Sequence, residues 1–145
     1  MTERTRELLR ELKRGDQELN EMYHEIAARM GISDSVFAIL YAVYDLGDGC
    51  LQKDICREMF LNKQTVNSAM HKLVKEDYLY MEQGRGRDKH IYFTEKGNAF
   101  IREKILPVIQ KEEETFLEFR PEEQEEIIRL VKMYNRNFKK NFGLG

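Results

Sequence analysis

The sequence predicts a mainly helical protein that contains one small β-hairpin. Apolar residues recur at helical spacing over long stretches near both ends of the chain. The segment between residues 78 and 94 is instead rich in aromatic and β-branched residues around a glycine-rich loop, which favours two strands. The chain has no Trp, 2 Pro and 9 Gly, too few turn residues for a sandwich or a barrel. Its 145 residues fit one domain, or one domain with an added dimerisation element.

The first predicted helix covers residues 5 to 30 and ends at Gly31. Its apolar stripe consists of Leu8, Leu9, Leu12, Leu19, Met22, Tyr23, Ile26 and Met30. Ser33 is placed to cap a second helix, which is nearly all apolar between Val36 and Tyr44. A helix with so little polar surface is expected at the centre of the core.

Two short helices and a hairpin follow. The first of these two short helices is predicted from about Leu51 to Met59. Its inward residues are Leu51, Ile55, Cys56 and Met59. Asn62 is placed to cap the next one, whose inward residues are Val66, Ala69, Met70, Leu73 and Val74. The strands are predicted at residues 78–81 and 91–94. A helix, a short turn and a helix can lay the second helix into the major groove of DNA.

The C-terminal third is predicted to be helical again. Thr94 is placed to cap a helix that runs to about Phe119 and is bent by Pro107, and Pro121 begins a last helix. The residues that the last helix is expected to bury are Ile127, Ile128, Leu130, Val131, Tyr134, Phe138 and Phe142. The acidic run at residues 111–126 is interpreted as a solvated face. Because the terminal stripes exceed what one small domain can bury, they predict a homodimer.

The outward face of the second short helix carries the chemistry. At 100° per residue, this face holds Gln64, Ser68, His71 and Lys75, flanked by Thr65, Asn67 and Lys72. No acidic residue occurs between Lys63 and Lys75, although the whole chain has a formal net charge of -2. Gln and Asn can contact adenine, His and Ser can bond to base edges, and Lys and Thr can reach phosphate.

Positive charge is concentrated in the same part of the chain. Residues 62–90 hold 6 Lys or Arg against 4 Asp or Glu, whereas the other residues hold 18 against 22. The stretch GRGRDKH at residues 84–90 is interpreted as a loop that carries Arg85, Arg87, Lys89 and His90. A positive surface limited to one helix and one loop is typical of phosphate binding.

Residues 51–97 resemble the winged helix-turn-helix of MarR-type transcriptional regulators. NKQTVNSAMHKLV is similar to the recognition helix of that family, and IYFTEKG is similar to the end of its second wing strand and the start of the next helix. The resemblance implies a DNA-binding lobe at residues 33–95, flanked by helical dimerisation regions at residues 1–31 and 96–145 of a single protomer. It also implies that a wing arginine, Arg87 or its competitor Arg85, enters the minor groove.

The sequence departs from the family pattern at several positions. The family commonly has glycine where Phe60 and Asp77 stand, which indicates a modified turn at Phe60; Asp tolerates a left-handed backbone better than Phe. The family often places an aspartate two residues before the wing arginine, and here Arg85 occupies that site. Asp88 is therefore interpreted as a substitute partner for a wing arginine.

The predicted DNA contacts are Lys63, Gln64, Thr65, Asn67, Ser68, His71, Lys72, Lys75, Arg85, Arg87 and Lys89. No catalytic residue, cofactor or metal site is predicted. The expected function is that of a dimeric repressor on a pseudo-palindromic operator, with double-stranded DNA as partner. Relatives commonly bind a small aromatic molecule between the dimer helices and the DNA-binding lobe, which implies an effector. Residues that fit either such a pocket or, preferably, ordinary core are Tyr23, Phe37, Tyr41 and Phe100.

Two other classes of protein are weighed against this one. A winged helix can serve as a protein-interaction module, but its recognition face would then be expected to be acidic or apolar. An enzyme is ranked last, because the sequence shows no nucleophile-base pair and no phosphate loop. Cys50 and Cys56 lack metal-ligand spacing and are expected to be small core residues in a reducing compartment. The charged N-terminus and the absence of a long apolar stretch predict a cytoplasmic protein without membrane contact.

Overall fold

The structure is a computed structural model that describes residues 1–145. Helices make up most of the chain, and three short strands form its single sheet. One compact unit, Met1–Ile105, contains α1 (Glu3–Arg29), α2 (Asp34–Leu46), β1 (Cys50–Leu51), α3 (Gln52–Met59), α4 (Lys63–Lys75), β2 (Leu79–Gln83), β3 (Lys89–Phe93), α5 (Glu95–Phe100) and a π-helical segment (Ile101–Ile105). A second unit, Leu106–Gly145, contains α6 (Leu106–Leu117) and α7 (Pro121–Phe142). The predicted fold class, mainly α with a small β element, is confirmed.

The sheet is antiparallel with strand order β1-β3-β2, so β3 is the central strand. Leu79 lies opposite Phe93 and Gln83 lies opposite Lys89, whereas Cys50 of β1 lies opposite Ile91. The prediction of only two strands was wrong. The strand β1 has two residues and pairs with a strand some forty residues later in the sequence, so no local pattern indicates it. Leu51, predicted to be helical, belongs to this strand, and α3 begins after it.

The core of the first unit lies between α2 and the helix-turn-helix formed by α3 and α4. α2 contacts both helices, and α4 also contacts β2. The side chains that are almost fully buried include Ile39, Leu40, Val43, Ile55, Val66, Met70, Leu73, Leu79, Ile91 and Ile105. The nearly all-apolar helix predicted to be central therefore contributes a large share of the core, because it is covered on several sides.

The three predicted N-caps are confirmed by their hydrogen bonds. Ser33 Oγ accepts from the backbone N–H of Val36 at 3.2 Å. Asn62 Oδ1 accepts from Thr65 N–H at 2.8 Å, and Thr94 Oγ1 accepts from Gly97 N–H at 2.9 Å. Each bond satisfies one of the backbone donors that a helix leaves free at its first turn.

The C-terminal end of α4 is fixed by residues from the segment after the hairpin. Lys96 Nζ donates to Glu76 O at 2.7 Å and lies 4.4 Å from the centre of the Tyr78 ring. Thr94 Oγ1 donates to Asp77 O, and Asp77 has a left-handed backbone with φ 65°. A cation at this end also compensates the negative end of the helix dipole. These contacts set the direction in which α4 projects from the core.

Some predicted core positions are corrected by the structure. Val74, in the last turn of α4, is 36% exposed, because the inward stripe ends one residue earlier at Leu73. In α3, Ile55 is the one buried residue, and the half-buried residues are Asp54, Cys56 and Met59 together with Gln52. An eight-residue helix at the surface presents too narrow an inward face to bury Ile55, Cys56 and Met59 together.

The predicted helix after Thr94 is interrupted before Pro107 rather than merely bent by it. The π-helical segment Ile101–Ile105 separates α5 from α6, and Pro107 is the second residue of α6. A proline lacks the N–H that would bond to the carbonyl four residues earlier, and its ring clashes with that carbonyl. A π-helical turn just before the proline is one of the known ways in which a helix absorbs such a disruption.

The second unit has no buried residue in either helix. Pro121 is the first residue of α7, as predicted, and the Arg120 backbone N–H donates to Glu123 Oε1 at 3.0 Å. The apolar residues of α7 that were expected to be buried are between 39% and 66% exposed. Within one copy of the chain, that prediction was wrong.

No single helix is long and apolar enough to cross a membrane, and the pair Glu3–Arg29 and Asp34–Leu46 meets the length and composition limits only when taken together across a bend of 88°.

Cys50 and Cys56 are both free thiols. Cys50 lies in β1 and is half-buried, and burial raises the pKa of its thiol to about 11, with a further contribution from the Asp54 carboxylate. Because the thiolate is the reactive form, a thiol with so high a pKa reacts slowly at neutral pH.

We expect Gly97→Ala to destabilise the protein by about 1–3 kcal/mol. A Cβ at Gly97 would lie 2.0 Å from Tyr78 O, a backbone atom that cannot move away alone. The matched control is Gly15→Ala in the middle of α1, where a Cβ meets no atom within 4 Å. That change should stabilise by about 0.5–1 kcal/mol. Chemical unfolding curves for the two variants measure the difference, and equal effects would contradict the close approach.

We also expect Cys50 to resist alkylation at pH 8, where roughly one thiol in a thousand is ionised at a pKa of about 11. The rate should rise steadily as the pH approaches 11. Iodoacetamide labelling followed by mass spectrometry of the Cys50 peptide measures the rate, and labelling in denaturant is the control. Equal rates in the folded and denatured protein at pH 8 would show that the fold does not suppress this thiol.

Candidate nucleic-acid interface

Helix α4 presents an exposed polar face without a carboxylate. The exposed residues are Lys63, Gln64, Asn67, Ser68, His71, Lys72 and Lys75, whereas Thr65 is half-buried. The first turn of the helix contains no acidic residue, and its cap is the neutral side chain of Asn62. The positive end of the helix dipole is therefore left without a compensating negative charge, which favours an anion at this end.

The strands β2 and β3 with the loop at residues 84–88 form a wing beside α4. Gln83 pairs with Lys89 in the sheet, so Lys89 and His90 belong to β3 and not to the loop, which corrects the longer loop expected from the sequence. The Gly84 N–H donates to Asp88 O at 2.9 Å, and the Gln83 side-chain amide donates to Gly86 O at 2.8 Å. The tip of the wing is therefore a hydrogen-bonded turn.

Both wing arginines are left free by this arrangement. The turn is held by backbone groups and by the Gln83 amide, so neither Arg85 nor Arg87 is needed to hold it. Both side chains are exposed, and neither lies within salt-bridge distance of a carboxylate. Gly86 has φ 60°, the left-handed conformation that glycine adopts without strain. Two exposed guanidinium groups without a carboxylate partner are thus carried on a hydrogen-bonded turn.

His90 ties the wing to the rest of the first unit. Its Nδ1 lies 2.8 Å from Gly49 O, and since a carbonyl oxygen only accepts, Nδ1 carries the proton. The same ring lies against Gly84, where a Cβ would come within 2.7 Å of Nε2. A side chain at residue 84 would therefore displace the His90 ring, which has a structural role at this point.

A cleft of about 480 Å³ lies between the wing, α3 and α4. Its basic and amide side chains are Gln52 and Lys53 from α3, Lys63 and Asn67 from α4, and Arg87 and Lys89 from the wing. Leu51 and Cys56 also line it. Among the predicted DNA contacts, the cleft brings together residues 63, 67, 87 and 89, which are far apart in the sequence. The remaining predicted contacts of α4 lie outside the cleft, on or beside the exposed face of the helix.

Asp88 supplies the one carboxylate in the cleft, and its partner differs from the one expected. Its Oδ1 lies 3.8 Å from Lys53 Nζ, and no arginine lies within salt-bridge distance. The prediction that Asp88 tethers a wing arginine was wrong. The turn directs the Asp88 side chain back toward α3, so the acid links the wing to the helix-turn-helix and leaves both arginines unpaired.

Two residues of the cleft were missed by the sequence analysis. The Gln52 side-chain amide donates to Asn67 Oδ1, which orients Asn67 and occupies one of its acceptors. Lys53 adds a cation from α3. Both residues stand at the start of a helix on whose outward face the sequence analysis placed no function, so only their position beside α4 and the wing reveals them.

The electrostatic character of the interface follows from which cations have partners. The predicted basic contacts are Lys63, Lys72, Lys75, Arg85, Arg87 and Lys89. None of these side chains lies within salt-bridge distance of a carboxylate. Cations elsewhere are often paired, as in Arg29 with Glu25 at 2.8 Å. Unpaired cations clustered on one surface create a positive potential that attracts a polyanion. No group of three or more His, Cys, Asp or Glu side chains is placed to hold a metal ion.

Comparison with known proteins supports this reading of the fold. The model of the MarR family matches residues 30–88, which include α2, the helix-turn-helix and the first part of the wing. None of the curated proteins compared with the chain matches it. Similarity to solved structures extends over nearly the whole chain.

Three solved structures illustrate that similarity. A MarR family regulator from Neisseria meningitidis is 18% identical, covers 94% of this chain and 96% of its own, and has a TM-score of 0.81. The S. aureus MepR–DNA complex is 20% identical, with coverages of 86% and 93% and a TM-score of 0.69. The PcaV transcriptional regulator from Streptomyces coelicolor, in complex with its natural ligand, is 15% identical, with coverages of 83% and 89% and a TM-score of 0.64.

The resemblance to the MarR family is confirmed: residues 30–88 match that family, and nearly the whole chain has the winged helix-turn-helix fold of its solved members.

Proposed function

We propose that this protein is a transcriptional regulator that binds double-stranded DNA at specific sequences. The observation that carries the proposal is the convergence of the acid-free face of α4 and the unpaired arginines of the wing on one basic surface. The S. aureus MepR–DNA complex has the same fold, which supports a DNA partner for a chain of this kind. A protein with this function works where the chromosome is, in the cytoplasm.

The two parts of the surface have different tasks. α4 enters the major groove, where Gln64, Ser68 and His71 reach base edges and read the sequence. Lys63, Lys72 and Lys75 contact phosphates and fix the register of the helix on the duplex. The wing follows the adjacent backbone, and Arg87 enters the minor groove, where the negative potential depends on groove width.

The cleft between the wing and α4 receives a phosphate of the backbone between the two grooves. Lys53, Lys63 and Lys89 supply its positive charge, and the Asp88 carboxylate limits it. Because Asp88 is paired with Lys53, its negative charge is partly neutralised before DNA arrives. The Gln52 amide holds Asn67 in place, so Asn67 has less freedom to contact a base than Gln64 does.

The active form is a homodimer. On α7, the exposed residues Ile127, Val131, Tyr134 and Phe138 follow one another at spacings of 4, 3 and 4, which is the pattern of a helix that packs against another helix. On α1, the exposed apolar residues are Leu8, Leu12, Leu19 and Met22. A second copy of the chain covers such stripes and places two recognition helices about one DNA turn apart on a pseudo-palindromic site.

A small-molecule effector releases the protein from its operator, so that the protein acts as a repressor. PcaV was solved in complex with its natural ligand, and it has the same fold. In this chain the rings of Tyr23, Phe37 and Tyr41 form a contiguous series, with centroids 6.3 Å and 6.0 Å apart. Phe100, the fourth candidate, packs edge-on against Tyr78. An effector that favours a different spacing of the two DNA-binding lobes weakens binding to both half-sites at once.

The experiment that tests the function is a selection of bound duplexes from a random pool. The expected result is a pseudo-palindromic consensus with two half-sites. Failure to enrich any sequence, with no binding to DNA at low salt, would favour the protein-interaction module instead.

Arg87→Ala should weaken binding to most duplexes by about 1–2 kcal/mol. The slope of log affinity against log salt should also become shallower by about 0.9 for each phosphate contact that is lost. Gln64→Ala is the matched contrast, because it should leave the salt slope unchanged and relax the preference at one base pair by about 1–3 kcal/mol. Fluorescence anisotropy over a range of salt concentrations measures both quantities.

Each variant tests one half of the assignment. An unchanged salt slope in Arg87→Ala would remove the wing from the interface. An unchanged consensus in Gln64→Ala would mean that α4 does not read bases through that side chain.

Leu130→Glu should convert the dimer to a monomer, because Leu130 is 44% exposed in one copy and lies on the apolar side of α7. Arg136→Glu places the same carboxylate about 180° around the helix from Ile127 of the apolar stripe, at 100° per residue, and should leave the dimer intact. Analytical ultracentrifugation measures the mass of each variant. If Leu130→Glu stays dimeric and Arg136→Glu becomes monomeric, the interface lies on the side of α7 that carries Arg136, and the apolar stripe is not the interface.

A further inference from the structure

Phe60, in the turn between α3 and α4, combines two features that are unfavourable for folding. Its side chain is 94% exposed, the highest value among the large apolar residues of the chain. Its backbone is left-handed, with φ 52° and ψ 35°. Such a conformation is uncommon for a residue with a Cβ and strained for a bulky one.

The Phe60 backbone N–H donates to Cys56 O and so caps α3, but no part of the chain covers the Phe60 ring. The Phe60 ring packs against no other ring and lies over no cation. The backbone of the turn would accept glycine, which adopts this conformation without strain and exposes no apolar surface. A left-handed backbone that glycine would adopt more easily, combined with an exposed ring that has no partner in the folded chain, points to a contact that the ring makes outside it.

The position of Phe60 identifies the surface on which that contact is made. It is separated from Asn62, the cap of α4, by a single residue. Two residues span at most about 7 Å, so Phe60 stands beside the N-terminal end of α4. In a helix-turn-helix this is the end that contacts base edges. Lys63, the first residue of α4, is exposed and unpaired, which makes this end favourable for DNA and unfavourable for a basic protein partner.

We propose that Phe60 is a specificity-determining residue that packs against the C5-methyl group of a thymine in the major groove. This inference rests on the proposed function, because it requires that α4 lies in that groove. The thymine methyl is the apolar group that base pairs offer in the major groove, and phenylalanine is among the side chains that contact it. The contact buries the exposed ring and so compensates for the strain in the turn.

The test compares thymine with deoxyuridine, which differs only by the absence of that methyl group. A duplex selected by the wild-type protein is prepared with each thymine replaced in turn. For the wild-type protein, replacing one particular thymine in each half-site should lower the affinity for the duplex about fourfold. This is the factor expected for one buried methyl group. For Phe60→Ala, the affinity for the thymine duplex should fall by at least this factor, and the replacement should have no further effect.

Two further variants isolate the effect of the ring. Phe60→Gly keeps the left-handed turn without strain and should behave as Phe60→Ala does, with thermal unfolding confirming that both are folded. Val74→Ala removes another exposed apolar side chain, at the opposite end of α4, and should keep the wild-type dependence on thymine.

The outcomes separate this inference from the proposed function. Suppose that the wild-type protein selects a duplex, but deoxyuridine replacement changes the affinity of the wild type and of the Phe60 variants equally at every thymine. DNA binding then stands, and the thymine contact is overturned. The same conclusion follows if the variants lose affinity equally for all duplexes or keep wild-type affinity, as they would if the ring docks on another protein. If the wild type binds no duplex, both proposals fall.

Discussion

Thr94 joins three parts of the first unit through its hydroxyl group and its backbone N–H. Its Oγ1 accepts from Gly97 N–H at the start of α5 and donates to Asp77 O just after α4, while the Thr94 backbone N–H donates to Tyr78 O at 3.1 Å. The residue that follows β3 therefore links the wing to the segment after α4 and to the start of α5. The close approach of Gly97 to Tyr78 is possible only because glycine has no side chain. The angle between wing and helix depends on this junction.

The distribution of ion pairs explains how a chain of net charge -2 presents a basic surface. Acids and bases are paired on α1 and α7, as in Arg129 with Glu126 at 2.6 Å. At the wing, the Gln83 amide holds the turn, so the arginines remain unpaired. Because exposed cations stay hydrated, leaving them unpaired costs little folding free energy, and they keep their charge for a polyanion.

The chain has two kinds of apolar surface. The first unit buries its apolar residues against one another, with α2 at the centre. The second unit has helices without a buried residue and a continuous stripe along α7. The first kind forms the core of the first unit, and the second stays exposed within one copy of the chain. In the homodimer that we propose, a second copy covers this stripe and sets the spacing of the two α4 helices.

The sequence by itself determined the features that depend on neighbours within one or two turns. The caps at Ser33, Asn62 and Thr94, the inward stripe of α4 up to Leu73 and the acid-free outward face of α4 could all be predicted, because helical periodicity and capping are local. Only the tertiary structure decided the pairing of β1 with β3, the bond between Gln52 and Asn67, and the links from His90 to Gly49 and from Lys53 to Asp88. These contacts join residues 15 to 41 positions apart, and their partners are chosen by how the elements pack, not by any local pattern.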